Sequence, residues 1–312
     1  MKERILAILG AIALVAAAFV ARSLIAGDDG SGSGGGGGGG GRPVVACTPD
    51  LMAVCDALVA DERIAADPPE LDLGDEAAAA RVGDRVIDGW ITWDPAPRIA
   101  NFDAEEAGSP EPWDAGNVVM SDRLALLLET AQRVALAESC GGAITWFCLG
   151  RSGDVPASIG VGQVSSAEGL ARLAPIAKSL DLNDLNDVDT SALSRLLEGP
   201  PAGQSAVASQ TDLLVVRGRG EVGSVVGPRR ALDAATETVR GGNLSVVEMS
   251  PDAGVSVVLV SHAGFDLGDL PEQVREGASG EALGALGVAG SPLELVNDEL
   301  AGFLFKVRAE LV

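Results

Sequence analysis

The chain has 312 residues, of which 47% are apolar and only 3% are aromatic, with no tyrosine. It carries 45 acidic and 22 basic residues, for a net charge of -23, and the whole imbalance belongs to residues 42–312. A surface this acidic repels phosphate backbones, so the composition excludes a nucleic-acid partner. The length allows one large domain or two, with a core of alanine, valine, leucine and isoleucine.

The amino terminus has the pattern of a membrane anchor. Lys2 and Arg4 precede an apolar stretch that runs to about residue 26. Roughly 20 helical residues cross the hydrocarbon core of a bilayer, and a basic flank stays inside. We therefore expect a signal-anchor helix over residues 1–26, with the rest of the chain outside the cytoplasm at the cell membrane. A cleaved signal peptide is the alternative.

A glycine-rich segment follows the anchor. Residues 27–42 include eight consecutive glycines at 34–41. Such a composition cannot pack a core, so the segment is expected to be a flexible linker that separates the folded part from the membrane.

The four cysteines occur as two closely spaced pairs. Cys47 and Cys55 are eight residues apart, and so are Cys140 and Cys148. Outside the cytoplasm disulfides are permitted, and of the three possible connectivities the two local pairings are the most economical. A zinc site with four thiolates is the alternative, but its usual knuckles place the cysteines closer together.

The first part of the folded region predicts two strands and a helix. Residues 43–48 form a buried strand, and a helix opens at Pro49-Asp50, with Asp50 as its cap. Residues 85–92 predict the second strand, which closes at Trp93. The segment 95–115 is rich in proline and acids and is expected to be a loop.

The remainder alternates between strand and helix patterns. A long strand is expected over 118–128 and a helix over 129–139. The strand 158–164 leads into a helix that begins at Ser165–Glu168. Further strands are expected at 213–217, 222–226, 244–249 and 255–261, and helices near 190–198, 269–287 and 292–311. This alternation indicates an α/β fold.

Sequence motifs for catalysis are missing. There is no G-x-S-x-G, and the single histidine, His262, follows a strand and is expected to be structural. The acidic segment 181–189 lacks the spacing of a calcium loop. We therefore expect no enzyme, no catalytic residue, no metal site and no cofactor.

Four segments follow one another in a recognisable order. They are Val-Val-Ala-Cys-Thr-Pro-Asp-Leu at 44–51, Trp-Ile-Thr-Trp-Asp at 90–94, the strand around Ser121, and Ile-Gly-Val-Gly-Gln-Val-Ser-Ser-Ala-Glu at 159–168. This order resembles the type 2 periplasmic solute-binding proteins, particularly molybdate/sulfate-like members and their membrane-anchored actinobacterial relatives. The resemblance covers residues 43–312 and rests on order and spacing.

The resemblance implies two α/β lobes joined by two hinge strands, with a ligand held in the cleft between them. Lobe I would comprise 43–116 and 248–312, and lobe II 117–247. Six residues would line the ligand site: Thr48, Thr92, Trp93, Ser121, Ser165 and Ser166. Helix amino termini offer unpaired N–H groups that favour anions.

The function implied is capture of a small polar or anionic solute for a membrane transporter or sensor protein. The alternative is a non-catalytic cell-envelope module that kept the fold, lost the ligand and acts through protein contacts. Hydroxyl and N–H donors in the cleft favour the first, whereas a cleft filled by apolar side chains or acids favours the second.

Overall fold

The structure is a computed structural model that describes most of the chain from Gly41 onward. The described residues are 41–114, 116–146, 148, 159–179, 214, 223–238, 243–249, 253–290 and 295–311. The chain divides into two compact units, Met1–Arg42 and Pro43–Val312, and every described helix and strand belongs to the second.

Several of the sequence-based expectations lie outside the described residues. They are the anchor over 1–26, nearly all of the linker over 27–42, the helix near 190–198 and most of the strand at 213–217. Among the residues that are described, no helix has both the length and the apolar character needed to cross a membrane.

The first half of the folded unit contains four strands and three helices. In chain order they are β1 (Val45–Cys47), a 3-10 turn (Pro49–Leu51), α1 (Met52–Ala60), α2 (Asp75–Ala78), β2 (Arg81–Val82), β3 (Arg85–Val86), β4 (Gly89–Trp93) and α3 (Ala96–Glu106). The strand predicted over 85–92 is thus split into β3 and β4. At the break, the Asp88 carboxylate accepts the Val44 N–H at 2.8 Å.

The prediction of a loop over residues 95–115 is wrong, because α3 occupies the first half of this segment. Prolines 95 and 97 lie at the start of α3, where the missing N–H of proline costs no helical hydrogen bond. Ile99, Ala100 and Ala104 are buried along one side of the helix. The apolar face of this segment packs against the rest of the protein, and this packing stabilises a helix in spite of the acidic residues around it.

The second half continues the alternation. Its elements are β5 (Asn117–Glu129), α4 (Thr130–Ser139), β6 (Ile159–Gly160), α5 (Ala167–Ser179), β7 (Ser224–Pro228), α6 (Arg229–Thr238), β8 (Leu244–Glu248), β9 (Gly254–Ser261), α7 (Leu270–Gln273), α8 (Gly277–Ala285) and α9 (Asp298–Leu311). The predicted α/β fold is confirmed.

Seven of the described strands form one mixed sheet that is organised by β5, and β2 and β3 pair separately as a two-stranded antiparallel sheet. The order is β1-β4-β9-β5-β7-β6, and β8 also pairs with β5. Residues 117–123 of β5 run antiparallel to β9, whereas residues 124–129 lie between β7 and β8. The single strand β5 therefore passes from one set of strands to another. The division into lobes at 43–116, 117–247 and 248–312 stays a prediction.

The apolar run in β5 is explained by burial on both faces. Leu124, Leu126 and Leu128 belong to the main core, while Ala125 and Leu127 pack in a second cluster with Leu214, Val225 and Leu232. A strand that is covered on both faces has a continuous apolar sequence instead of an alternating one.

Both local disulfides are present. Cys47 is joined to Cys55, which ties the end of β1 to α1, and Cys140 is joined to Cys148. The two pairings expected from the spacing are confirmed. With all four cysteines in disulfides, no thiolate remains for zinc.

Candidate functional site

Five side chains with polar groups, three of them buried and two half-buried, lie together where β1 and β4 end. We call Asp50, Asp72, Trp93, Glu168 and Arg172 the buried polar cluster. Asp50 follows β1 and Trp93 ends β4; because β1 and β4 are parallel, both lie at the same edge of the sheet. This is the edge at which open α/β sheets bind ligands. Glu168 and Arg172 come from α5, which packs against β4, β9, α3 and α9.

Asp50 is fixed by an aromatic side chain. The Trp93 indole N–H donates a hydrogen bond to Oδ2 of Asp50. Burial raises the pKa of the Asp50 carboxyl above its usual value, and the hydrogen bond from Trp93 and the charge of Arg172 offset part of that increase. The expectation that Asp50 caps the first helix is wrong, because its carboxylate bonds to Trp93 instead.

Helix α5 begins with a capped amino terminus. The Ser166 hydroxyl donates to the carbonyl of Gln163 at 2.8 Å and accepts the Gly169 N–H at 3.1 Å. The N–H group of Ala167, the first residue of α5, donates to Oδ1 of Asp72 at 2.9 Å. A carboxylate from a distant part of the chain therefore lies where a helix terminus attracts anions.

Arg172 brings a guanidinium into the core. Arg172 is 1% exposed and forms an ion pair with Glu168, which lies one helical turn earlier. Burial lowers the pKa of Arg172 to about 10, and the nearby charge of Asp50 acts in the opposite direction. Arg172 therefore interacts with carboxylates from two elements, Glu168 on its own helix and Asp50 after β1. A buried ion pair needs such partners to offset its desolvation.

The structure brings four of the six predicted ligand residues to this region. Trp93 belongs to the buried polar cluster, and Ser166 caps the helix that carries Glu168 and Arg172. Thr92 precedes Trp93 on β4, and the Thr48 N–H donates to the carbonyl of Ile91 at 3.1 Å. Both threonines are fully buried, and neither hydroxyl has a hydrogen-bond partner among the described residues.

The other two predicted residues have different surroundings. Ser121 lies in β5 opposite Ser256, and the two buried hydroxyls are 2.7 Å apart. Its main chain also pairs with Gly290. The Ser121 hydroxyl therefore links the two central strands β5 and β9. Ser165 is half-buried in the turn that precedes α5. Ligand binding by any of the six stays a prediction.

Sequence reasoning missed the charged members of the site. Glu168 and Arg172 are spaced one helical turn apart, which is an ion-pair signal, but the spacing alone cannot show that the pair is buried. Asp72 stands between two leucines in a segment without regular structure. Its contact with Ala167 joins residues 95 positions apart, a distance that no local pattern records.

This arrangement suits noncovalent binding. It offers N–H donors, hydroxyls, carboxylates and one guanidinium in a setting from which water is largely excluded. Over the part of the chain that the structure describes, no three His, Cys, Asp or Glu side chains are placed to hold a metal ion.

No protein-family model matches the chain, and no curated protein matches its sequence. Among solved structures, the periplasmic binding protein AfuA from Actinobacillus pleuropneumoniae, with fructose-6-phosphate bound, has a TM-score of 0.49 at 13% identity, covering 88% of this chain and 97% of that one. The Atu4243-GABA receptor has a TM-score of 0.47 at 12% identity, covering 84% and 88%. A variant of the regulatory domain of OxyR2 from Vibrio vulnificus has a TM-score of 0.47 at 16% identity, covering 81% of this chain and 100% of that one. All three TM-scores are below 0.5.

Proposed function

We propose that the chain is an extracytoplasmic solute-binding protein, held at the membrane by residues 1–26, that closes two lobes around a small polar or anionic solute. A transporter or sensor in the membrane would receive the solute or the closed form. The observation that carries the proposal is the buried polar cluster. It combines Asp50 and Trp93, which precede the crossing strand β5, with Glu168 and Arg172, which follow it.

Several polar atoms of this region support a binding role. The hydroxyls of Thr48 and Thr92 and one carboxylate oxygen of Glu168 are buried without a hydrogen-bond partner among the described residues. Native proteins leave few such groups, since each costs about 1–3 kcal/mol of desolvation. A solute with hydroxyl or N–H groups would satisfy them.

The second candidate is the non-catalytic interaction module without a small ligand. It is favoured by the hydrogen bond from the Ala167 N–H to the Asp72 carboxylate and by the burial of residues 167–175 of α5. In this alternative the protein's own side chains hold the cluster together permanently.

A thermal-shift screen of residues 42–312 with oxyanions, sugars and amino acids separates the two candidates. A ligand at about a hundred times its Kd stabilises the native state by roughly 2.7 kcal/mol, which raises the melting temperature by several degrees. One clear hit supports solute binding, and a panel without any shift supports the interaction module.

A matched pair of variants tests the site itself. Thr92→Val removes a buried hydroxyl without a described partner and keeps the side-chain shape, so the free protein should melt at the same or a higher temperature while the ligand-induced shift falls. Thr236→Val removes a hydroxyl on α6 that bonds to the Asp233 carbonyl and should leave the ligand shift unchanged. Equal ligand shifts in both variants would remove Thr92 from the site.

A further inference from the structure

Asp72 is brought to the candidate site by the main chain around it. The Leu71 N–H donates to the carbonyl of Cys47 at 2.9 Å, and the Cys47 N–H donates to the carbonyl of Pro69 at 3.1 Å. The Trp90 indole N–H also donates to the Leu71 carbonyl, at 3.1 Å. The segment before Asp72 therefore runs beside β1 and is tied to β4, so that Asp72 follows the carboxyl end of β1.

The carboxylate of Asp72 makes the contacts of a bound anion. Its Oδ1 accepts the Ala167 N–H at 2.9 Å and the Leu73 N–H at 2.8 Å. Ala167 is the first residue of a 13-residue helix, so its N–H belongs to the group that has no partner within the helix. Burial raises the pKa of Asp72, and the two backbone N–H groups act against that increase.

A second observation shows that Asp72 satisfies only part of this region. Glu168, in the first turn of the same helix, is 8% exposed, and its Oε2 has no hydrogen-bond partner among the described residues. The buried hydroxyls of Thr48 and Thr92 also have none there. Oε2 of Glu168 is an acceptor, so the Asp72 carboxylate cannot satisfy it, whereas a solute that also carries a hydroxyl or N–H group could.

We infer that Asp72 is an internal ligand that occupies the anion position at the amino terminus of α5, and that the solute carries a carboxylate or a similarly sized oxyanion that displaces it. This inference rests on the proposed solute-binding function. Because Asp72 is tethered to the same chain, its effective concentration at the helix terminus is high. A free anion therefore has to compete with it, and its apparent affinity in the wild-type protein is reduced.

Rescue by a small carboxylate tests this inference. Asp72→Ala removes the internal carboxylate and leaves space beside the Ala167 N–H, so its melting temperature should fall. Sodium acetate or formate at about 0.1 M should restore much of the loss, because even a weak site is well occupied at that concentration. Sodium chloride at the same ionic strength and pH should not.

Glu70→Ala is the matched control. Glu70 is an exposed carboxylate two residues earlier in the same segment, so this variant loses the same charge without opening the helix terminus. Neither Glu70→Ala nor the wild type should gain stability from acetate beyond the effect of chloride. Equal responses to acetate and chloride in a folded Asp72→Ala protein would overturn the inference.

Asp72→Asn provides a second test that keeps the side-chain volume. Its amide oxygen can still accept the Ala167 N–H, but it is neutral and competes less strongly with an anion. Acetate should stabilise Asp72→Asn more than it stabilises the wild type, and an equal effect would count against the internal-ligand role.

The outcomes also separate this inference from the proposed function. A solute hit on the wild type, together with no acetate rescue of Asp72→Ala, would refute the role of Asp72 and leave solute binding intact. Acetate rescue together with a flat solute panel would identify the anion position and count against solute capture by the wild-type protein.

Discussion

At the scale of single residues, Asp94 joins the sheet to the carboxyl-terminal part of the chain. It follows β4 directly and is 6% exposed. Its Oδ2 accepts the Val296 N–H at 2.6 Å, and its Oδ1 is 3.2 Å from the guanidinium of Arg98. Burial raises the pKa of Asp94 to about 6, and the contacts with Val296 and Arg98 limit that increase.

The raised pKa of Asp94 predicts a loss of stability with increasing pH. The folded state holds this proton up to pH of about 6, whereas the unfolded chain releases it near 3.8. The stabilising contribution is therefore complete below 3.8 and disappears as pH rises through 6, and it amounts to at most about 3 kcal/mol. In denaturant unfolding, Asp94→Asn should gain stability relative to the wild type between pH 4 and pH 7.

The control for this experiment is Asp298→Asn. Asp298 also bonds to Arg98, at 2.8 Å, but its side chain is 85% exposed. This variant should differ from the wild type by only a small amount, because an exposed ion pair contributes about 0–1 kcal/mol. A constant difference between Asp94→Asn and the wild type would show that Asp94 does not titrate in this range.

The sequence indicates which residues stand at strand ends and helix starts, but it does not indicate which single charged residues become part of the site. Thr48, Thr92, Trp93 and Ser166 follow from the resemblance to solute-binding proteins, which assigns ligand residues to places where a strand ends or a helix begins. Asp72 and Arg172 take their importance from burial, which depends on elements far away along the chain. Their sequence surroundings are the same as those of many solvated charges.

At the scale of elements, the start of α5 depends on a glycine. Gly169 lies in the first turn, and its N–H bonds to the Ser166 hydroxyl. A Cβ atom at this position would lie 2.0 Å from the carbonyl oxygen of Gln163, closer than atoms can approach. The capped turn that presents the Ala167 N–H therefore requires a residue without a side chain.

Gly169→Ala should consequently destabilise the protein. The turn from Gln163 to Ser166 would have to move, at a cost of about 1–3 kcal/mol. Gly284→Ala is the matched control, because Gly284 lies in α8 with no atom within 4 Å of an added Cβ. Alanine is the better helix former by roughly 0.5–1 kcal/mol, so this variant should melt at the same or a higher temperature. Equal melting temperatures for both variants would contradict the close contact at Gly169.

The long elements were the most predictable from sequence. The 13-residue strand β5 and the helix α5 were both expected, because a continuous apolar run and a capped amphipathic segment are strong local signals. The helix α3 was not expected, since its prolines and acids are typical of a loop. Its formation depends on packing against β4 and α9, a tertiary effect that outweighs local composition.

At the scale of the whole molecule, the charge imbalance works against folding. The net charge of -23 brings many carboxylates close together in the folded state, and the resulting repulsion is relieved when the chain expands. Some of these acids have basic partners, such as Asp103 with Arg308 at 2.6 Å and Asp298 with Arg98. The Asp298 side chain of the second pair is exposed, and such a pair contributes only about 0–1 kcal/mol. The first pair is half-buried, but neither pair changes the net charge of -23.

The protein should therefore become more stable as the ionic strength increases. Sodium chloride from about 10 mM to about 150 mM shortens the Debye length from roughly 30 Å to roughly 8 Å. Repulsion between distant carboxylates is screened over this range, whereas short-range contacts such as the Asp72 hydrogen bond to Ala167 are affected less. The melting temperature of residues 42–312 should rise by a few degrees, and a fall would mean that attractive ion pairs outweigh the repulsion. Asp72→Ala should show the same rise with chloride, so that any additional gain with acetate measures occupation of the anion position.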